Sequence, residues 1–113
     1  MARQSRYNRA GRQAASRAAD AVAKLPVNSV APAISGTEQV GNVLTCSSGT
    51  WSNSPSYAYQ WKRSGAAISG ATANTHTLVA ADEGETLTCV VTATNDRVSA
   101  VAESAATGTI AAA

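Results

Sequence analysis

Apolar and polar residues alternate in short runs along the chain after residue 26. The two clearest runs are SYAYQWKR, which begins at Ser56, and ETLTCVVTATN, which begins at Glu85. Because successive side chains of a β-strand point to opposite faces, this period of two predicts strands with one buried face. The side chains that we expect on the buried faces are Tyr57, Tyr59, Trp61, Leu87, Cys89, Val91 and Ala93.

Further strand-like runs lie on both sides of these two, separated by turn residues. A turn at Gly41 precedes a strand with Leu44 and Cys46 on one face, a short strand follows near Ile68, and THTLVA forms another. The final run, RVSAVAESAATGTI, supplies one or two edge segments. About seven strands without a helix between them are typical of an antiparallel β-sandwich. We therefore predict an all-β domain over residues 27–113.

Residues 1–26 follow a different pattern. Within them, residues 10–24 read AGRQAASRAADAVAK and are rich in Ala, Arg and Gln, which favour helix. Pro26 ends any such helix, and together with Pro32 it marks an extended linker. A lone helix of this length is marginal in water. We therefore predict an arm with a short helix that needs a surface to lie on, and the alternative is a solvated tail without fixed structure.

The charge of the chain is split between these two segments. Residues 1–24 carry six basic side chains and one acidic one, a net +5, whereas residues 25–113 carry three basic and six acidic ones, a net −3, which gives +2 in total. A basic segment ahead of an acidic domain indicates a separate partner. Arginine forms forked hydrogen bonds with carboxylates and phosphates. The residues that we expect to bind this partner are Arg3, Arg6, Tyr7, Arg9, Arg12, Arg17 and Leu25.

The sequence gives no sign of a membrane segment. It has no run of the roughly 18 apolar residues that a membrane span needs. The basic N-terminus has the charge of a signal peptide, but Arg12, Arg17 and Asp20 interrupt the apolar stretch that such a peptide requires. We therefore expect synthesis in a cytoplasm without a signal peptide.

Cys46, Trp61 and Cys89 stand in the order and approximate spacing of an immunoglobulin-type core. In that core a buried Trp packs against a disulfide that joins two sheets. Leu87 lies two residues before the second cysteine, where antibody domains carry Tyr. We therefore expect Cys46, Trp61, Leu87 and Cys89 to form the structural core of a domain that is not antibody-like in detail.

Seven short motifs in residues 31–110 resemble, in order, those of the immunoglobulin-like modules of bacteria and bacteriophages. The module motifs are Pro-x-Ile-Ser-Gly, Val-Gly-x-x-Leu-Thr, Gly-x-Trp, Tyr-x-Tyr-Gln-Trp, Tyr-x-Leu, Asp-x-Gly-x-x-Leu and Val-Thr-Ala-x-Asn, and they match residues 32–36, 40–45, 49–51, 57–61, 76–78, 82–87 and 91–95. His76 departs from the pattern, because it stands where the modules carry an aromatic residue. The resemblance implies an immunoglobulin-like sandwich, as found in accessory proteins of phage virions and in bacterial surface proteins, and it specifies no activity.

The immunoglobulin-type core also implies a disulfide between Cys46 and Cys89. In the chain-entropy model, closing a loop of this length stabilises the fold by about 4 kcal/mol. Folding in a cytoplasm keeps thiols reduced, however, and two buried free cysteines then pack as small apolar groups. The sequence leaves both states open.

No catalytic constellation is evident in the sequence. His76 is the only histidine, and alternation places it on an inward face, where we expect a packing role. The two cysteines are too far apart for a CxxC zinc or redox motif. Asp82, Glu83 and Glu85 lack the spacing of a calcium-binding loop, so we expect a solvated acidic corner there. We predict no enzyme, no metal and no cofactor.

These patterns favour a non-enzymatic structural protein of a bacteriophage virion, such as a capsid decoration or head-fibre protein. The arm would dock on the major capsid protein or another virion lattice in many copies, and the domain would project outward. One alternative is a coat-type protein whose arm binds nucleic acid, although only Tyr7 supplies the arm with the aromatic contact that single-strand binding favours. The other is a tail or surface adhesin for host or mucus glycans, with Trp51 stacking on a sugar.

Overall fold

The computed structural model describes residues 25–53, 56–96 and 98–113, and in these the chain is almost entirely β-structure. The elements in the described residues are β1 (Asn28–Val30), β2 (Ile34–Ser35), β3 (Val43–Cys46), β4 (Thr50–Trp51), β5 (Ser56–Arg63), β6 (Ala66–Ala67), β7 (Thr75–Thr77), a 3-10 helix (Ala80–Asp82), β8 (Leu87–Thr94) and β9 (Ser99–Glu103). The only helical element in this part of the chain is thus a single turn. None of its helices is long and apolar enough to cross a membrane.

The strands form three antiparallel sheets, in the orders β1-β4, β2-β3-β7 and β6-β5-β8-β9. The longest pairing joins β5 and β8 over their full length, from Ser56 opposite Thr94 to Arg63 opposite Leu87. A parallel bridge between Gln39 and Ala111 lies outside these strands. The predicted all-β, antiparallel character is therefore confirmed.

Alternation predicted the two long strands well. The run SYAYQWKR is β5, and β8 lies within ETLTCVVTATN, with its odd-numbered residues buried as expected. Along β5 the burial is graded: Trp61 is fully buried, Tyr59 half-buried, and Tyr57 39% exposed. The expectation that Tyr57 is buried is therefore wrong, because the inward face of β5 opens to solvent towards the start of the strand. The short strand expected near Ile68 ends one residue earlier, at Ala67.

One hydrophobic cluster joins the three-stranded and four-stranded sheets. Its fully buried members are Leu44, Cys46, Trp61, Leu78, Leu87, Cys89, Val91 and Ile110. Burial of a Val, Leu or Ile side chain contributes about 1.5–3 kcal/mol relative to exposure. Trp61 is the largest of these side chains, so the core is centred on β5 and β8.

The segment after β9 closes one side of this core. Its backbone N–H groups at Ser104, Thr107 and Ile110 donate to carbonyls of Cys89, Leu87 and Glu85, respectively. Beyond it, residues 38–40 and 111 exchange hydrogen bonds, as Val40 N–H donates to Ala111 O and Ala111 N–H to Glu38 O. The C-terminal residues therefore link residues 38–40 to the segment that leads into β8, and they bury Ile110.

Thr88→Val is expected to raise the free energy of unfolding. The Thr88 hydroxyl oxygen is buried and has no hydrogen-bond partner among the described residues. Because an unpaired buried hydroxyl costs about 1–3 kcal/mol, a methyl group in its place should stabilise the domain by about 1 kcal/mol. For a domain of this size that corresponds to a melting temperature about 4–8 °C higher.

Thr94→Val is the matched control, because Thr94 is exposed at the end of the same strand. We expect its melting temperature to stay within experimental error of the parent. A lower melting temperature for Thr88→Val would mean that the hydroxyl has a partner, and would contradict the prediction.

Candidate functional site

Most of the predicted arm lies outside the described residues. This applies to Arg3, Arg6, Tyr7, Arg9, Arg12 and Arg17. Leu25 is described: it is partly buried, and its carbonyl accepts a hydrogen bond of 2.7 Å from Asn53 Nδ2. Two residues later, Val27 O accepts a hydrogen bond from Ser52 N–H. The chain therefore enters the β-structure beside the residues that follow β4.

This entry end of the domain can be located relative to the long strands. Asn53 lies three residues before Ser56, the first residue of β5, which faces Thr94 at the end of β8. Thr94 in turn faces Ser99, the first residue of β9. We call the end formed by Leu25, Asn53 and these strand termini the entry end. The arm is attached there.

Three acidic side chains lie at the opposite end, which we call the far end. Ser64, directly after β5, donates its backbone N–H to Thr86 O and its hydroxyl to the Glu85 carboxylate. Glu83 is exposed beside them, and Glu38 accepts a 2.9 Å hydrogen bond from Gly108 N–H. Eight residues of β5 separate the two ends, a distance of roughly 25 Å at the usual rise per residue. Of the described acids only Asp96 lies at the entry end, whereas the two described basic side chains, Lys62 and Arg63, lie towards the far end and are paired with Glu103 and Asp82.

Asp82 is fully buried at the far end and forms the centre of a polar cluster. Its Oδ1 lies 2.6 Å from both Nε and Nη2 of Arg63. Its Oδ2 accepts a 2.9 Å hydrogen bond from Val79 N–H and lies 3.0 Å from Nε2 of His76. One carboxylate thereby connects Arg63 at the end of β5, His76 in β7 and the start of the 3-10 helix.

The surroundings of Asp82 favour its charged form. Burial by itself raises the pKa of a carboxyl group, because it disfavours the charge. At Asp82 the hydrogen bonds from Val79, His76 and Arg63, with the positive charge of Arg63, outweigh burial and hold the pKa below its ordinary value. Asp82 and Arg63 therefore form an ion pair at neutral pH. Both carboxylate oxygens of Asp82 contact protein groups.

The expectation of a solvated acidic corner is wrong for Asp82. Glu83 is exposed as expected, but Asp82 points inward to Arg63 and His76. The sequence contained an indication of this buried ion pair, because Arg63 occupies the next inward-facing position of β5 after Trp61. A charged side chain on a buried strand face needs an opposite charge close by. Asp82 meets that need across 19 residues of sequence.

His76 takes the inward position that alternation predicted. Its side chain is only 11% exposed, and its ring centroid lies 5.6 Å from that of Trp61 at an angle of 30°. The ring therefore packs against Trp61 at the edge of the core. Its Nε2 also lies 3.0 Å from Asp82 Oδ2, so His76 contacts both the hydrophobic core and the polar cluster.

Cys46, Trp61, Leu87 and Cys89 all lie in the buried core, each no more than 1% exposed. Cys46 is in β3 and Cys89 is in β8, so the two cysteines come from different sheets. Trp61 is the cross-strand neighbour of Cys89, and its indole N–H donates to Ala73 O at 2.8 Å. The structure thus brings together the four residues that the sequence assigned to the core.

Both cysteines are free thiols in the structure, and each donates its S–H to the carbonyl of the next residue, Ser47 and Val90, respectively. Burial raises the pKa of Cys46, and burial together with the neighbouring Cys46 thiol raises the pKa of Cys89 to about 12. A thiol that stays protonated at neutral pH is a poor nucleophile and a poor metal ligand. The disulfide between them stays a prediction.

The Trp51 ring is less exposed than stacking on a sugar requires. Its side chain is half-buried and packs against the core, and its indole N–H donates to Ser48 O at 2.7 Å. Only part of the ring faces solvent. In the described part of the chain, no three His, Cys, Asp or Glu side chains are grouped so that they could hold a metal ion.

Comparison with known proteins finds no matching family model and no matching curated protein. Function is therefore inferred from the charge distribution and from the geometry of the described residues.

Proposed function

We propose that the chain is a non-enzymatic structural protein of a bacteriophage virion, a capsid decoration or head-fibre protein. Residues 1–26 dock on the capsid or another virion lattice, and the β-domain projects outward. The observation that carries this proposal is the separation of charge. An arm of net +5 joins the domain at the entry end, whereas Glu38, Glu83 and Glu85 lie at the far end.

The finer architecture that we propose for the domain is an immunoglobulin-like sandwich. Two features support it: the three-stranded and four-stranded sheets share one hydrophobic cluster, and each contributes one cysteine beside Trp61. The resemblance of residues 31–110 to bacterial and bacteriophage modules points the same way. Such a domain serves as a rigid body that an anchor can hold.

Docking follows from the physical chemistry of the arm. Arginine side chains make forked bonds with carboxylates, so an acidic groove between capsid subunits would bind residues 1–26 and fix their conformation. Since the screening length is about 8 Å at physiological salt, the acids at the far end do not oppose this attraction. Many copies on a lattice would add avidity, so each contact can be weak.

Removal of residues 1–25 is expected to abolish sedimentation with virions of the source phage and to leave the domain folded. The folded state is measured by circular dichroism and by a thermal melt of residues 26–113. A matched pair of full-length variants separates charge from geometry: Gln at positions 3, 6, 9, 12 and 17 removes the charge, and Lys at the same positions keeps it. We expect the Gln variant not to bind and the Lys variant to bind more weakly than the parent.

A truncated protein that still sediments with virions would rule out the arm as the anchor. The same experiment with DNA tests the nucleic-acid alternative, which the Arg-rich arm also fits. DNA binding would show a log–log salt slope of about −0.9 for each phosphate contact. Binding to virions that survives salt, without binding to DNA, supports a protein docking site.

A further inference from the structure

β9 is an open edge of the four-stranded sheet. The backbone groups of Leu87 and Cys89 face the side of β8 where β9 lies, because their carbonyls accept from Thr107 and Ser104. The alternate residues Val91 and Ala93 face the same way, and their partners in β9 are Ala102 and Ala100. Ser99, Val101 and Glu103 therefore point their N–H and C=O groups away from β8, and no described residue pairs with them there.

Within the described residues, the edge carries none of the usual features that prevent pairing with another strand. Natural edge strands are blunted by proline, a bulge, lysine or a covering segment. β9 reads SAVAE and pairs with β8 in regular register. Its one charged residue, Glu103, lies at its end and pairs with Lys62 Nζ at 3.6 Å. Val101 is 66% exposed, the highest value among the exposed large apolar side chains of the described residues.

The opposite edge of the sheet is partly covered by comparison. There, β6 pairs with the end of β5, and Trp61 exchanges backbone hydrogen bonds with Ile68 and Ala71. As far as the described residues show, β9 is thus the longer unpaired edge of this sheet.

We propose that β9 pairs with β9 of a second copy of this chain, antiparallel about a two-fold axis at Val101. The two four-stranded sheets would then form one continuous sheet of eight strands. In this register Val101 faces Val101 of the second copy, and Ser99 faces Glu103 of the second copy on both sides of the axis. Three facing pairs that each exchange two bonds give about six main-chain hydrogen bonds.

The sequence of β9 is self-complementary in this register. The two Glu103 side chains lie at opposite ends of the paired segment, about 13 Å apart along the strands. That distance exceeds the screening length of about 8 Å at physiological salt. A register centred on Glu103 would place the two carboxylates opposite each other, which is unfavourable. Only the register centred on Val101 uses all three outward-facing residues and keeps the charges apart.

The pairing also sets the geometry of the dimer. Ser99 belongs to the entry end, so the entry ends of both copies would lie near the two-fold axis and the far ends would point away from each other. In such a dimer the points where the two arms are attached would lie on opposite sides of the two-fold axis. The pairing itself rests on β9 alone, and it stands whether or not the arm binds a virion.

Sedimentation velocity of the full-length chain over a concentration series tests the proposal. We expect a species of twice the 11.4 kDa chain mass. Val101→Pro removes an N–H that faces the second copy and leaves the bonds between β8 and β9 intact, since proline is tolerated on edge strands. We expect it to raise the dimer dissociation constant at least about tenfold. Val101→Thr keeps the N–H and the branched side chain, and should leave the dimer unchanged.

A second pair of variants, with opposite charges at position 101, tests the same pairing and does not require that β9 tolerate proline. Val101→Lys and Val101→Glu each place like charges opposite each other at the axis, so each should be monomeric, and an equimolar mixture should form a heterodimer. A monomeric parent at all concentrations would overturn the proposal, as would single variants that remain dimeric. A monomeric parent whose Val101 N–H is protected from hydrogen exchange would also overturn it, because another part of the same chain would then cover the edge.

Discussion

Asp82→Ala is expected to lower the free energy of unfolding by about 3–5 kcal/mol. Removing one partner of a buried ion pair leaves an uncompensated charge, and costs of this size follow. Here the Arg63 guanidinium would lose its 2.6 Å contacts, while Val79 N–H and His76 would lose an acceptor. Since small domains are stable by about 5–15 kcal/mol in total, this single change should bring the domain close to unfolding. Urea denaturation followed by circular dichroism measures the effect.

Glu83→Ala provides the control for this substitution. Glu83 is the next residue in sequence, but its side chain is exposed, so its loss should change stability by no more than about 0.5 kcal/mol. If the two variants were equally stable, the polar cluster around Asp82 would not contribute to the fold, and the burial of its carboxylate would need another explanation.

The same carboxylate makes stability depend on pH. The pKa of Asp82 is lower in the folded state than in the unfolded chain, so its contribution is complete above the unfolded value near 4 and is lost as pH falls through the folded value. Between pH 7 and pH 3 the parent should lose more stability than Asp82→Asn, which has no proton to bind. The exposed carboxylates are the same in the parent and in Asp82→Asn. The difference between the stability losses of the two proteins therefore measures the contribution of Asp82.

The parts of the fold that the sequence predicted are those that local alternation determines. In β8 a period of two correctly predicted which side chains are buried, whereas in β5 it held for Trp61 and in part for Tyr59 but not for Tyr57. Strands such as β2, β4 and β6, with two residues each, are too short to show any period. Their positions depend on the partner strands that they bond to, and sequence pattern alone does not contain that information.

Non-local contacts explain the features that the sequence did not predict. Ile110 stands among Ala, Thr and Gly without any periodic pattern, and it is buried because its backbone bonds to Glu85 and Gly84. Asp82, in the 3-10 helix, can be buried because Arg63 reaches it from the end of β5. The predicted core of Cys46, Trp61, Leu87 and Cys89 needed no such knowledge, since its members lie on the buried faces of alternating strands.

Trp61→Ala is expected to destabilise the domain by about 3–5 kcal/mol, the range measured for truncation of buried aromatic side chains. Trp61 has the largest side chain among the fully buried residues of the described chain. Its removal would leave a cavity beside Cys89 and His76, and the Ala73 carbonyl would lose the indole N–H. Both losses act in the folded state. Urea denaturation at neutral pH should show a midpoint far below that of the parent.

Trp51→Ala is the matched control, because it removes the same side chain from a half-buried position at the edge of the core. We expect a clearly smaller loss. Trp61→Phe separates the two contributions at the buried site: it keeps most of the apolar volume and removes the hydrogen bond to Ala73. A loss of only about 1–2 kcal/mol in this variant would assign most of the effect of Trp61→Ala to the cavity. If Trp51→Ala were as damaging as Trp61→Ala, the core would not be centred on β5 and β8, because the edge tryptophan would then contribute as much to the fold as the central one.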